Sequence, residues 1–178
     1  MLMEKYREGQ ELHYVFVDLE KAYDRVLREE LWHCRRKSGV AEKYMKVVKD
    51  VYDESETAVR RAAGITVAFK EEVGLHKGST SSPLLLAMAK DRLTDEIRRE
   101  SPWTMVFANN IVLSGESREE VEEELERWRY ALERRGMIQS SYKTEYTCAN
   151  ERDSGETVRL QGVEVKKVNK FKYLRSTV

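Results

Sequence analysis

The sequence predicts an α+β fold in which a mainly antiparallel sheet carries helices packed on one face. Apolar runs of strand length alternate with longer segments of helical periodicity, in the order β, α, α, β-hairpin, α, β-hairpin, α, β-hairpin. Two helices open with clear start signals, at Ser82-Pro83 and at a capping box from Ser117 to Glu120. Because strands come in pairs joined by short turns, we expect antiparallel pairing. Ferredoxin-like domains share this order of elements, so the order alone leaves the family open.

The composition is that of a globular protein. The chain has 178 residues, 40% of them apolar and 36% charged, which suits a single domain over residues 1–178. It contains no linker, repeat or apolar run of membrane-spanning length, so we expect no membrane partner. A polar N-terminus and only two cysteines predict an intracellular location, in the nucleus or the cytoplasm. The net charge is zero, although basic residues gather between Arg159 and Arg175.

The first half of the chain predicts a strand, two helices and a hairpin. His13 to Leu19 reads as a strand covered on both faces, because both alternating sets of side chains are apolar until Asp18. Helices are expected over Arg28 to Ser38 and over Glu42 to Tyr52. The second helix carries a predicted core-facing stripe of Tyr44, Val47, Val48 and Val51. A hairpin turning near Gly64 is expected from Thr57 to Ala63 and Ile65 to Val73.

The second half predicts two long helices and several short strands. A helix from Ser82 to Glu100 is apolar all round between Leu84 and Ala89, so we expect that half to be buried. A helix from Ser117 to Arg135 places Val121, Leu125, Trp128 and Leu132 on one face. Short strands are expected at Trp103 to Phe107, Ile111 to Leu113, Tyr146 to Ala149, Thr157 to Leu160 and Phe171 to Leu174.

Two segments carry the chemistry. Phe16 to Asp24 places an acid, Asp18, at the end of an apolar run, and Met105 to Leu113 is two apolar runs joined by Asn109-Asn110. Phosphoryl transfer by two metal ions needs clustered carboxylates, which a strand-end acid beside a hairpin corner can build. Both segments resemble motifs A and C of the reverse transcriptases of non-LTR, LINE-type retrotransposons. Motif C of that family normally reads Phe-Ala-Asp-Asp, so both of its acids are replaced here.

Three further segments follow in the order of that family. Gly74 to Leu84 resembles motif B, with Lys77 where Gln is usual. Gly136 with Lys143-Thr144-Glu145 resembles motif D, and Phe171 to Ser176 resembles motif E, the primer grip, with Arg175 in place of a Gly. Each segment alone has a plainer interpretation, such as a strand-end acid, a simple turn or a surface lysine. The five motifs in sequence favour the resemblance.

The resemblance implies a role for each matching residue. The metal ligand is Asp18, and the catalytic positions are Asp18, Asn109, Asn110 and Lys143, with both asparagines at degenerate ligand positions. The nucleotide-binding positions are Leu19, Tyr23 and Gly78. The positions that contact nucleic acid are Lys77, Ser82, Phe171, Lys172 and Tyr173. If this holds, Asp18 and the Asn109-Asn110 turn lie side by side on adjacent strands.

The expected function follows from these roles. The resemblance implies a polymerase palm fragment, lacking most of the fingers and the thumb, of an RNA-directed DNA polymerase that acts on an RNA template, a DNA primer and dNTPs. The family uses Mg²⁺, which prefers anionic oxygen ligands, so the change from three acids to one predicts weak or absent binding. We therefore expect a catalytically dead chain. A non-catalytic RNA-binding or protein-interaction module on the same fold is the alternative, and a palm-like nucleotide cyclase is a more distant one.

Overall fold

The computed structural model describes residues 8–33, 40–97, 104–107, 110–151, 157–170, 172–173 and 176–177. The chain forms two compact units. The sheet unit comprises Met1–Glu20 and Glu96–Val178, and the helix–hairpin unit comprises Lys21–Asp95. Helices and antiparallel strands together make an α+β fold, so the predicted fold class is confirmed.

The described strands of the sheet unit, numbered in chain order, are β1 Leu12–Glu20, β6 Thr104–Phe107, β7 Asn110–Gly115, β8 Ile138–Gln139, β9 Glu145–Ala149, β10 Arg159–Leu160, β11 Val163–Glu164, β12 Lys166–Lys167, β13 Lys172–Tyr173 and β14 Ser176–Thr177. Six of them form one sheet of order β12-β9-β1-β7-β6, in which the short strand β8 also pairs with the end of β1. The pairings in this sheet are antiparallel except that of β12 with β9. Two-stranded pairs form between β10 and β11 and between β13 and β14.

The central strand β1 is covered on both faces, as its sequence predicts. Val15 and Val17 on one face and Phe16 on the other are all buried. The helix Arg118–Glu133 packs against β1, β7 and β8, and its buried side chains are the predicted stripe of Val121, Leu125, Trp128 and Leu132. Burial of an apolar stripe of this kind is the main source of helix stability in a folded chain.

The start of this helix also follows the sequence. The Ser117 hydroxyl accepts a hydrogen bond from the Glu120 backbone N–H at 3.2 Å, as an N-cap residue does. The Glu120 carboxylate reaches back and accepts from the Glu116 backbone N–H at 2.9 Å. The reciprocal bond of the capping box therefore falls one residue earlier than in the standard pattern.

The described part of the helix–hairpin unit contains four helices and one exposed hairpin. The described helices of the chain, in order, are α1 Ala22–Arg25, α2 Arg28–His33, α3 Glu42–Asp53, α4 Ser82–Ile97, whose last two residues fall in the sheet unit, and α5 Arg118–Glu133. The hairpin pairs β2 Glu56–Thr57 with β5 Phe69–Lys70, and β3 Arg60–Arg61 with β4 Gly64–Ile65. The predicted hairpin is confirmed, and its turn lies just before Gly64.

Two burial predictions for this unit are wrong. In α3 the predicted stripe faces solvent, with Tyr44, Val47 and Val51 exposed, whereas Met45 and Tyr52 are buried. Both sets have helical spacing, so periodicity alone could not choose between them. At the start of α4, Leu84 is 60% exposed beside buried Leu85 and Leu86, because only one side of that turn is covered.

Some predicted boundaries fall outside the described residues. The helices predicted to end at Ser38 and at Glu100 are described only as far as His33 and Ile97, so both predicted ends lie outside the described residues. No described helix is both long enough and apolar enough to cross a bilayer.

Candidate active site

Asp18 and Asn110 face each other across neighbouring strands. The register of β1 and β7 pairs Phe16 with Val112, Val17 with Ile111 and Asp18 with Asn110. Directly opposite residues of an antiparallel pair have Cβ atoms roughly 4.5–5.5 Å apart. The prediction that Asp18 lies beside the turn on an adjacent strand is therefore confirmed at Asn110. Asn109 lies outside the described residues.

Burial fixes this register. Val17 and Ile111, which precede Asp18 and follow Asn110, are each 1% exposed. A slip of one residue would turn these side chains to the opposite face of the sheet. The last residues of β1 are tied down further by β8, because Leu19 pairs with Gln139 and Glu20 pairs with Ile138.

Lys143 lies beside Asp18. Its ammonium is 3.3 Å from the Asp18 carboxylate, and the two side chains are 58% and 28% exposed, respectively. The turn that carries Lys143 is bonded to the same strand, because the Ser140 backbone N–H donates to the Asp18 carbonyl at 2.9 Å. The family resemblance implied a catalytic role for both residues but did not predict that they pair with each other.

The turn before β9 is held rigidly. The Ser140 carbonyl accepts from the backbone N–H groups of Lys143 and Thr144, at 3.1 and 2.9 Å, and from the Thr144 hydroxyl at 2.8 Å. Thr144 and Ser140 are both buried. The Cα of Lys143 is therefore fixed relative to Asp18, while its exposed side chain keeps rotamer freedom.

The donor set at this site does not fit a pair of Mg²⁺ ions. No group of three or more His, Cys, Asp or Glu residues within the described ranges is arranged to hold a metal ion. Asn110 offers a neutral amide where Mg²⁺ favours carboxylate, and the one acid, Asp18, already faces an ammonium. By sequence, position 109 adds a second neutral amide.

The motif B segment forms a tight turn in the helix–hairpin unit. Gly74 and Gly78 both adopt positive φ, at 86° and 87°. A Cβ on Gly74 would lie 3.0 Å from the carbonyl oxygens of Tyr23 and Asp24, whereas one on Gly78 would meet nothing within 4 Å. Lys77 projects from this turn and pairs with the Asp24 carboxylate at 2.7 Å.

Arg28 holds the segment that leads into this turn, a role that the sequence analysis missed. Its buried guanidinium donates to the carbonyls of Gly74, at 2.9 Å, of Glu71 and, more weakly, of Val73, at 3.5 Å. The guanidinium carbon also lies 4.8 Å from the centre of the Tyr52 ring. A buried arginine with several backbone acceptors is a structural clamp, and the pattern of charges in the sequence does not reveal it.

Tyr52 continues this clamp to the start of α4. Its ring stacks on His76 with centroids 4.4 Å apart, and its hydroxyl lies 3.3 Å from the Ser82 hydroxyl. The Ser82 hydroxyl in turn donates to the His76 carbonyl at 2.6 Å. Ser82 is the first residue of α4 and is buried, so its side chain holds the turn instead of capping the helix.

The other predicted positions are placed as follows. Leu19 is buried within β1, and Tyr23 is half-buried, with its carbonyl accepting from the Leu75 N–H at 2.6 Å. Lys172 and Tyr173 form β13, paired with Thr177 and Ser176, while Phe171 lies outside the described residues. The nucleotide and nucleic-acid roles of all these residues stay predictions.

The basic run near the C-terminus is partly neutralised. Lys166 pairs with Glu145 at 2.7 Å, and Lys167 pairs with Glu151. Arg159 lies 3.8 Å from Glu164. These lysines and this arginine therefore have local acidic partners, and the run presents less free positive charge than its sequence indicates.

A second titratable cluster lies at the opposite end of β1 from Asp18. His13 is paired across the strands with Cys148, and its Nδ1 lies 2.8 Å from the Tyr146 hydroxyl. Burial lowers the pKa of His13 and raises the pKa of both Tyr146 and Cys148. A thiol whose pKa is raised carries less of the nucleophilic thiolate at neutral pH, so burial makes Cys148 less reactive.

Two solved structures with a similar fold are structures of a telomerase. The structure of apo telomerase from Candida tropicalis, truncated from the C-terminal domain, has a TM-score of 0.61 and 10% identity, over 88% of this chain and 35% of that one. The structure of telomerase from the same organism in complex with the TWJ fragment of telomeric RNA has a TM-score of 0.61 and 11% identity, over 93% and 31%. At such identity the likeness shows the fold alone. The chain spans about a third of the length of these telomerases.

The sequence comparison gives the family. No curated protein matches the chain. A family model described as reverse transcriptase (RNA-dependent DNA polymerase) matches residues 3–178, nearly the whole chain. This match agrees with the geometry of the sheet, in which the motif A acid lies opposite the motif C turn. The chain therefore belongs to the reverse transcriptase family.

Proposed function

We propose that residues 1–178 form one palm-domain fragment of a LINE-type, RNA-directed DNA polymerase whose metal site is degenerate and does not support DNA synthesis. The observation that carries the proposal is the pairing of Asp18 with Asn110, which puts a neutral amide where the family has an acid. The fold is retained around a site whose charge has been removed. The resemblance of the segments Phe16 to Asp24 and Met105 to Leu113 to motifs A and C of LINE-type reverse transcriptases supports the LINE-type assignment.

The proposed partners are an RNA template, a DNA primer and dNTPs, in an intracellular setting. The telomerase whose structure contains telomeric RNA supports nucleic acid as the ligand class. Lys77, Ser82, Phe171, Lys172 and Tyr173 are proposed to contact nucleic acid, and Leu19, Tyr23 and Gly78 to line the nucleotide site. Lys77 reaches nucleic acid only by leaving Asp24, an exposed pairing that costs little to break.

The loss of charge accounts for the absence of synthesis. Three carboxylates at the motif A and motif C positions would carry about −3, whereas Asp18 with two asparagines carries −1. Divalent ions in this family position and activate the reacting oxygens, and this donor set holds them poorly. Removing even one preorganised charge-stabilising group typically lowers the rate on the order of a hundredfold or more.

Primer extension tests the proposal. We expect no extension by the parent chain on a primed RNA template with Mg²⁺ or Mn²⁺, and none by Asn109→Asp plus Asn110→Asp alone. A polypeptide of these 178 residues also holds template, primer and dNTP with fewer contacts than a full polymerase, and positioning contributes roughly 7–11 kcal/mol to lowering such a barrier. Extension by the parent would refute the dead-site proposal. Extension by the double variant alone would show that the metal site is the only deficit.

A non-catalytic RNA-binding module is the second candidate function. The observation that favours it is that Asp18 pairs with Lys143 and Asp24 pairs with Lys77. The negative charge of each motif A acid is therefore compensated and would repel an RNA phosphate backbone less. RNA affinity measured in EDTA tests it. Tight binding that weakens steeply with salt supports this candidate, and binding that requires Mg²⁺ argues against it.

A further inference from the structure

The surviving acid of the site already has a cation. The Lys143 ammonium lies 3.3 Å from the Asp18 carboxylate, and the turn that carries Lys143 is bonded to the backbone of Asp18 itself through Ser140. One acid and one ammonium give this part of the site a local charge of zero. A dication approaching Asp18 meets a neutral pair and not a free carboxylate.

We propose that Lys143 is the resident counter-ion of Asp18 and takes the place that a divalent cation has in the active members of the family. This inference rests on the proposed function, because it explains how the one remaining acid, Asp18, is charge-compensated without a metal ion. The ammonium is covalently tethered, so it is present at every metal concentration. It competes directly with a dication for the Asp18 oxygens and repels one bound beside them.

The inference separates two obstacles to metal binding. The site contains four side chains, those of Asp18, Lys143 and the residues at positions 109 and 110. Restoring acids at positions 109 and 110 changes their total charge from 0 to −2. Replacing Lys143 by Gln as well brings it to −3. The Lys143 side chain is 58% exposed and its turn is held by backbone and Thr144 bonds, so this replacement does not disturb the core.

Mn²⁺ binding followed by electron paramagnetic resonance, at pH 7 and about 0.1 M salt, tests the inference. Three proteins are compared. The double variant carries Asn109→Asp and Asn110→Asp, and two triple variants add Lys143→Gln or Lys143→Arg to it. We expect the Lys143→Gln triple variant to bind Mn²⁺ about tenfold more tightly than the double variant. This factor corresponds to the repulsion between one unit charge and a dication a few ångströms away in a water-like dielectric. The Lys143→Arg variant keeps the charge and should bind like the double variant.

Lys166→Gln in the same double-Asp background is the matched control. Lys166 is 65% exposed, pairs with Glu145 at 2.7 Å and lies in β12, two strands away from β1. Its removal changes the net charge equally and should alter the dissociation constant less than twofold. Equal dissociation constants for the double variant and its Lys143→Gln derivative would overturn the inference, as would an equal gain from Lys166→Gln. Because all of these variants restore both acids, the outcome does not depend on whether the parent chain synthesises DNA.

Discussion

The strands that carry the site and the hairpin from Glu56 to Lys70 are both antiparallel pairs, but they are stabilised differently. Val15 of β1 and Leu113 of β7 pair directly across the two strands and are both fully buried. In the hairpin, Ile65 is 66% and Val67 is 89% exposed. The first pair is held by its core, and the second by its ladder and by local bonds such as that from the Val59 N–H to the Thr66 hydroxyl.

This difference shows which part of the fold is insensitive to a change of charge at the site. Asp18 and Asn110 lie half-buried at the ends of strands whose register is determined by neighbouring core residues. Exchanging an acid for an amide there changes the charge but removes no apolar contact. Asparagine also suits a tight turn because it tolerates positive φ. The pairing of Asp18 with Asn110 therefore keeps its register with an amide at position 110.

The largest expected effect comes from truncating one core residue and one hairpin residue by matched substitutions. Leu125→Ala empties a fully buried position of α5 and should lower the free energy of unfolding by about 2–5 kcal/mol. Val67→Ala, at an 89% exposed position, should change it by less than about 0.5 kcal/mol. Urea titration of both variants measures the difference. Similar losses from the two would show that the hairpin is covered in solution.

Much of the sheet unit could be predicted from the sequence. Three features each follow from a local pattern that is compatible with one structure. They are the burial of both faces of β1, the apolar stripe of α5 and the N-cap at Ser117. The pairing of Asp18 with Asn110 followed from the order of the motifs, because the two residues are 92 positions apart and only the fold of the family predicts their contact.

The remaining features depend on packing that no local pattern determines. The α3 helix has two apolar sets of helical spacing, and the fold buries Met45 and Tyr52 instead of the Tyr44 stripe. The Lys143–Asp18 pair and the Arg28 clamp join residues 125 and 46 positions apart in the sequence. Charged residues are abundant in this chain, so composition gave no reason to single out these pairs.

The second prediction sharpens the comparison within the helix–hairpin unit, between a crowded glycine and an open glycine of the turn that follows the hairpin. Gly74→Ala combines a φ of +86° with a Cβ 3.0 Å from two carbonyl oxygens, and should cost roughly 2–3 kcal/mol. Gly78→Ala has the same φ strain without the contact and should cost about 1 kcal/mol. Thermal unfolding measures both. Equal costs would mean that the carbonyls of Tyr23 and Asp24 move aside.

The smallest expected effect is a pH dependence that arises from His13 in the sheet unit. Burial lowers the pKa of His13 below its ordinary value of 6.5, while nearby Glu11, Glu119 and Glu151 oppose the shift and Arg118 adds to it. Because the unfolded chain takes up a proton more readily than the folded one, this histidine costs no stability above pH 6.5 and lowers stability as the pH falls below it. His13→Gln should therefore lose less stability than the parent between pH 7.5 and 5.5.

The difference should stay below about 1 kcal/mol, because His13 is only half-buried and its charge is partly screened. Urea titrations at several pH values measure it. Val67→Ala is the control, since the hairpin contains no histidine and its variant should follow the slope of the parent. The free energy of unfolding of His13→Gln and of the parent could instead change equally with pH. His13 would then be as open to water as the hairpin, and the contrast between the two regions would not extend to the start of β1.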